Sequence, residues 1–177
     1  MTMSTEHSDN NPDDLPDNRL ELRPTTEADR TYIARLNFLT DTFGDEHGTV
    51  PAEFDEDFTF YVDDWQPERG GFIAWRGNIP AGGVWLNWGT DERHGYGHAE
   101  PGIPEIALAV EGRYKSQGIG TALLHAATEL ARELGAPGIS LSVKDTNTRA
   151  ARLYRHVGFT DIPASDAHGY SILIKRF

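Results

Sequence analysis

Residues 103–134 restrict the chain's fold more than any other stretch. The run Ile-Pro-Glu-Ile-Ala-Leu-Ala-Val at 103–110 is almost continuously apolar, the pattern of a strand buried on both faces. Lys115-Ser-Gln-Gly-Ile-Gly120 follows, and then a helix to Leu134 carrying Leu123, Ala127, Leu130 and Leu134 at helical spacing, with Gly135 as its stop. At such a strand–loop–helix junction, free backbone N–H groups and the positive end of the helix dipole converge. The glycines let a bulky anion approach the main chain, and Lys115 adds a full positive charge at the entrance. The loop is not a Walker A motif, since no Gly-Lys-Ser/Thr closes it, and it lacks the dinucleotide spacing G-x-G-x-x-G.

The rest of the chain builds a mixed α/β fold around this unit. Residues 20–23 alternate like a short strand closed by Pro24, and Thr26 to Asp29 form a capping box. The helix that follows has Ile33, Leu36 and Leu39 or Thr40 on its buried face. Residues 44–51 break it, and 52 to about 65 read as a second, strongly acidic helix. Strands at 71–75 and 83–88 form a hairpin through a turn at 76–81. A Gly/His-rich stretch at 90–102 reads as a mobile loop. After the 115–134 unit come a buried strand at 139–143, Asn147 as the N-cap of a helix with Ala150, Leu153, Tyr154 and Val157, a stop at Gly158, and a last strand at 171–175. Strand–helix–strand–helix in the middle predicts a parallel pair at the centre of the sheet.

Charge is distributed unevenly. Residues 1–18 hold five acids and 41–68 hold ten, neither with a Lys or Arg; the remaining thirteen acids face all sixteen basic residues, a net +3. The first segment reads as a disordered acidic tail, leaving 19–177 as one domain. The second is either a solvated helix face or an acidic surface that attracts cations. The chain has no cysteine, which excludes disulfides, thiolate metal sites and Cys nucleophiles. No apolar run approaches the ~18 residues of a membrane span and the N-terminus lacks an apolar signal core, so a cytoplasmic protein is expected, with no membrane or nucleic-acid partner.

A second motif, Asn147-x-x-Ala150-x-x-Leu153-Tyr154-x-x-x-Gly158-Phe159, stands one strand and loop after the first. With both in this order, the sequence resembles the GNAT superfamily of N-acetyltransferases, whose loop reads Gln/Arg-x-x-Gly-x-Gly/Ala. The resemblance is specific over residues 105–159 and extends loosely to 19–177; Lys115 departs from it, keeping the charge but not the guanidinium fork. The resemblance implies acetyl-CoA as co-substrate and acetyl transfer to a primary amine by direct attack in a ternary complex. It implies that Leu108, Ala109 and Val110 offer backbone hydrogen bonds to the pantetheine arm. Lys115, Ser116, Gln117, Gly118, Ile119, Gly120 and Thr121 would hold the pyrophosphate. Asn147 would bond the pantetheine or the loop facing it, and Tyr154 would protonate the leaving thiolate. Taken alone, Asn147 and Tyr154 read better as a helix cap and a core residue; the loop at the family's spacing turns the reading towards the cofactor site. A homodimer is common among such proteins.

Glu105 is one candidate base, because apolar neighbours would raise its pKa into a useful range; the alternative is a structural carboxylate, with ordered water or another group as the base. Other members carry a glutamate on the next strand, where this chain has Ser142. His94 and His98 lie four apart, but Gly95 and Gly97 oppose a helix there, and no metal is expected. The tryptophans, in strands or beside turns, read as core, although Trp85 or Trp88 could wall the acceptor pocket. The acceptor, a small-molecule or peptide amine, is expected to be cationic from the acids at 41–68. Two other readings remain open: a non-catalytic CoA-binding regulatory domain of the same fold, and a binding protein whose acidic helix docks a basic partner.

Overall fold

The computed structural model describes residues 18–163 and 169–177; the acidic tail read at 1–18 lies outside them except for Asn18. Seven strands form one sheet: β1 (Leu20–Pro24), β2 (Gly71–Arg76), β3 (Ile79–Asn87), β4 (Glu105–Val110), β5 (Gly138–Lys144), β6 (Thr160–Ile162) and β7 (Tyr170–Arg176). Their order across the sheet is β1-β2-β3-β4-β5-β7-β6. The helices are α1 (Arg30–Asp41), α2 (Phe54–Phe58) with a π-helical turn over Thr59–Asp63, α3 (Ile119–Glu133) and α4 (Thr148–His156). The architecture is mixed α/β. Among the described residues no helix is long and apolar enough to cross a membrane.

Each face of the sheet is covered by its own helices. On one, Ile33, Leu36 and Leu39 of α1 pack with Trp65, Ile73 and Trp85. On the other, Leu123, Leu124, Ala127 and Ala131 of α3 pack with Ile139, Leu141 and Val143 of β5. Strand alternation produces this division, since successive residues of β4 point to opposite faces: Ile106 joins the α3 cluster, while Ala109 joins the α1 cluster. Leu134, expected on the buried face of α3, is 47% exposed. Gly135 turns the chain at positive φ one residue later, and the stripe is completed by Leu124 and Ala131 instead.

β4 and β5 are the parallel pair. Their pairing is confined to Glu105↔Ser140, with the Ser140 N–H donating to the Pro104 carbonyl at 3.0 Å. The Glu111 N–H donates to the Ala81 carbonyl on the β3 side at 2.9 Å. Alternation along β4 therefore turns the N–H and C=O groups of Leu108 and Val110 towards β5. The cleft lies where those strands part.

Candidate active site

One cleft of about 820 Å³ runs through this gap, within the range of pockets that enclose a cofactor-sized ligand. Leu108 and Val110 border it from β4, Leu141 to Lys144 from β5, Gly118 and Gly120 from the start of α3, and Tyr154 from α4. The residues singled out from sequence for the cofactor and the proton chemistry border it except Gln117, which is exposed and meets Arg76 across 3.5 Å; Ala109 borders it too, but its backbone groups face β3 rather than the gap.

The glycine loop is shaped for an anion. Gly118 sits at φ 79° as the N-cap of α3, and a Cβ there would meet no atom within 4 Å, so the space before the helix terminus is open. The first backbone bond of the helix runs from the Ala122 N–H to the Gly118 carbonyl, and the N–H groups ahead of Ala122 face the cleft end without an intrahelical partner. Ser116 is also at positive φ (63°), its hydroxyl held by the Arg149 guanidinium from α4. Lys115 does not point freely into this space. Its ammonium donates to the Phe43 carbonyl at 3.0 Å, and Gly44 lies against it so closely that a Cβ would collide. Lys115 thus joins the pyrophosphate-type loop to the connection after α1. These features fit a CoA-type group: open glycine, free N–H donors and unpaired strand edge in one line.

Tyr154 is buried at 9% exposure, and burial alone pushes its pKa up to about 12. Its phenol is therefore protonated throughout the neutral range. Asn147 caps α4, its side-chain oxygen accepting the Ala150 N–H at 3.3 Å. The amide remains on the cleft wall, so the cap and a ligand contact are compatible.

Glu105 lies on the α1 face, across the gap from Tyr154. It is 3% exposed; its Oε1 accepts the Tyr61 hydroxyl at 2.5 Å and the Gly97 N–H at 2.9 Å. Burial pushes its pKa up to about 7 even though both donors favour the ionised form.

The Gly/His-rich stretch at 90–102, expected as a mobile loop, makes specific contacts with the residues around the cleft. It packs onto Glu105 through the Gly97 N–H and onto the Tyr61 hydroxyl through the Tyr96 N–H at 3.0 Å. The His94 and His98 rings stack at 4.4 Å, with His98 Nε2 3.0 Å from Asp91 and His94 Nδ1 2.8 Å from the Gly95 carbonyl. Among the described residues no group of three or more His, Asp or Glu could hold a metal. Neither tryptophan walls the cleft. Trp85 is fully buried with its indole N–H on the Tyr61 carbonyl, and Trp88 donates to the Arg69 carbonyl. Tyr61, Tyr96 and Tyr170 take that role.

Of the acids at 41–68, Asp41, Glu53 and Asp57 border the cleft, whereas Asp55 and Glu56 do not. Burial, followed by the fields of Asp41, Glu53 and Glu56, pushes Asp57 up to about 6, against the opposing hydrogen bond of Tyr96. Asn37 and Asp41 stand one turn apart on α1, each with a buried side-chain atom lacking a partner. Asn37 breaks the apolar stripe Ile33–Leu36–Leu39, a signal the sequence did carry. Tyr61 carried none, lying 44 residues from Glu105 in an aromatic-rich helix.

A family model described as Acetyltransferase (GNAT) family matches residues 31–159. The chain belongs to the GNAT acetyltransferase family. That membership carries acyl-CoA-dependent acyl transfer as its general activity. No curated protein matches the chain by sequence. Solved structures share the fold. YncA of Salmonella typhimurium, determined with its cofactor acetyl-CoA, superposes with a TM-score of 0.63 at 16% identity, over 89% of this chain and 94% of that one. The PaiA N-acetyltransferase of Thermoplasma acidophilum, in complex with coenzyme A, gives 0.63 at 16% identity over 90% and 99%. A GCN5-related N-acetyltransferase of Kribbella flavida gives 0.61 at 18% over 89% and 98%.

Proposed function

We propose that the chain transfers the acetyl group of acetyl-CoA to a cationic primary amine, a small molecule or a peptide, by direct attack in a ternary complex. The observation that carries this reading is the single cleft that joins an anion cradle at Gly118 to an acidic end at Asp57 through the gap between β4 and β5. Acetyl-CoA supplies an activated acyl thioester. The N–H groups at the start of α3, with Arg149 and Lys115 beside them, hold the pyrophosphate, and the β5-facing edge of Leu108 and Val110 takes the pantetheine arm as an added strand.

Glu105 and Tyr154 divide the proton work between the two sides of the gap. An ammonium must lose a proton before nitrogen can attack, and a carboxylate titrating near 7 accepts one at neutral pH. Tyr154 holds a proton at its hydroxyl for the departing sulfur, since a phenol at about 12 keeps it until the thiolate forms. Asp41, Glu53 and Asp57 concentrate cations at the acceptor mouth. Thiol release from acetyl-CoA, followed with and without polyamines, aminoglycosides, amino acids and peptides, tests the reading. Amine-dependent release is expected, and binding of coenzyme A without turnover of any amine would leave the regulatory-domain reading instead.

A further inference from the structure

Glu105 is held more closely than a carboxylate on an open wall needs to be. Both donors bind the same oxygen: the Tyr61 hydroxyl and the Gly97 N–H converge on Oε1. The Tyr61 hydroxyl in turn accepts the Tyr96 N–H, so phenol and carboxylate are tied to one short stretch of loop. Only glycine permits that approach. A Cβ on Gly95 would collide with the Tyr61 hydroxyl and with Glu105 Oε2, and one on Gly97 would strike the β5 backbone at Leu141 and Ser142. Glu105 borders the cleft, and its Oε2, packed against Gly95, is buried without a hydrogen-bond partner.

We propose that Tyr61 is a positioning residue for the base: with the Tyr96–Gly97 backbone it occupies Oε1, leaving Oε2 as the one atom that takes the amine's proton. The proposal rests on the reading of Glu105 as base. A carboxylate free to rotate offers two equivalent oxygens and about four lone-pair sites; the clamp reduces these to one oxygen in one orientation. Towards Glu105 the Tyr61 hydroxyl is the donor, because burial and the Glu105 charge raise its own pKa well above 10. Its second effect is to favour the ionised carboxylate against burial. Apart from the Gly97 N–H, which acts in the same direction, the other groups around Glu105 do not do this. Its register neighbours Asn87 on β3 and Ser140 on β5 are neutral. Asp57, one turn before Tyr61, is the charged group whose field reaches it and acts in the opposite direction. The Tyr96 phenol is engaged with Asp57 rather than with Glu105.

Tyr61→Phe removes the hydroxyl and keeps the ring. In the full chain, the Glu105 carboxyl carbon, assigned by its loss in Glu105→Gln, is followed by ¹³C NMR against pH. Its midpoint is expected to rise by about one pH unit in Tyr61→Phe, the size of one hydrogen bond to a charged group. The acid limb of the acetyl-transfer profile, taken with whichever amine of the panel turns over fastest, should move by the same amount. Coenzyme A affinity by calorimetry should stay constant. If Tyr61→Phe does not fold, 3-fluorotyrosine at position 61, a stronger donor, should lower the midpoint instead. An unmoved midpoint in either folded protein overturns the clamp. A moved midpoint with an unmoved acid limb, or an acid limb that survives Glu105→Gln, overturns the base reading and with it the role of Tyr61 in proton removal.

Discussion

Replacing Gly118 tests the anion cradle with two separable effects. At φ 79° an L-residue is strained whatever the space around it, so Gly118→Ala should cost about 1–2 kcal/mol of stability. For a chain of this size that is a fall of about 2–8 °C in Tm. No neighbour lies within 4 Å of the new Cβ, so no packing penalty adds to it. Gly118→Asp carries the same backbone cost and also places a carboxylate at the open end of α3. Two unit charges ~4 Å apart interact by about 4 kcal/mol at an effective dielectric of 20. Exposure and salt reduce this to about 1.5–3 kcal/mol, a ten- to hundred-fold weaker Kd for coenzyme A. Calorimetry with coenzyme A on both variants, at low and at high salt, separates the terms. Ala should bind within a few-fold of the parent chain, Asp should bind far more weakly, and the difference should shrink as salt rises. Equal affinity of the folded Asp variant and the parent would refute the assignment of this loop to the pyrophosphate.

Three further outcomes follow from the same cleft. Tyr154→Phe should lower kcat by about ten- to ten-thousand-fold with little change in coenzyme A affinity, measured by thiol release and calorimetry; an unchanged kcat with chemistry rate-limiting would leave Tyr154 a packing role. Asp57→Asn should raise KM for a cationic amine by about three- to thirty-fold at low salt, with the gap narrowing as salt rises and KM for acetyl-CoA unmoved. The buried Glu105 carboxyl, raised from 4.5 to about 7, binds its proton more tightly in the folded chain. Its favourable contribution is therefore present below pH 4.5 and is lost as pH rises through 7, a difference of about 3 kcal/mol. Thermal denaturation should find Glu105→Gln more stable than the parent at pH 8 and equal to it near pH 4.5, although inactive.

What was legible in the sequence was local. The loop from Lys115 to Gly120 and the run from Asn147 to Tyr154 each lie within one strand–helix junction. There, glycine placement, a cap residue and helical spacing speak directly of backbone geometry. The capping box at Thr26 and Asp29 is formed as read, although the turn it opens is 3₁₀ before α1 begins. The parts that stayed hidden depend on register and on contacts far along the chain. Nothing at Tyr61 indicates that strand β4 will bring Glu105 against it. Gly95 and Gly97 read as loop punctuation because the surfaces they fit, a phenol and the β5 backbone, come from distant segments. Lys115 was legible as a charge, but its bond to the Phe43 carbonyl follows only from how the turn after α1 folds over the cleft. Of the acids at 41–68, helical phase decides that Asp57 meets the cleft and that Asp55 and Glu56 do not.

The proposed reaction is acetyl transfer from acetyl-CoA to a cationic amine. Its most direct test is a competition in one vessel: the full chain, acetyl-CoA, and equimolar spermidine, an aminoglycoside, a neutral amino-acid amide, an anionic amino acid and a lysine-containing peptide. Products are read by mass spectrometry at low and at high salt. One or more cationic amines should each gain a single acetyl group, at a rate that falls as salt rises, with neutral and anionic amines left largely untouched. Preferred acetylation of a neutral or anionic amine, or no acetylated product despite bound coenzyme A, would contradict it.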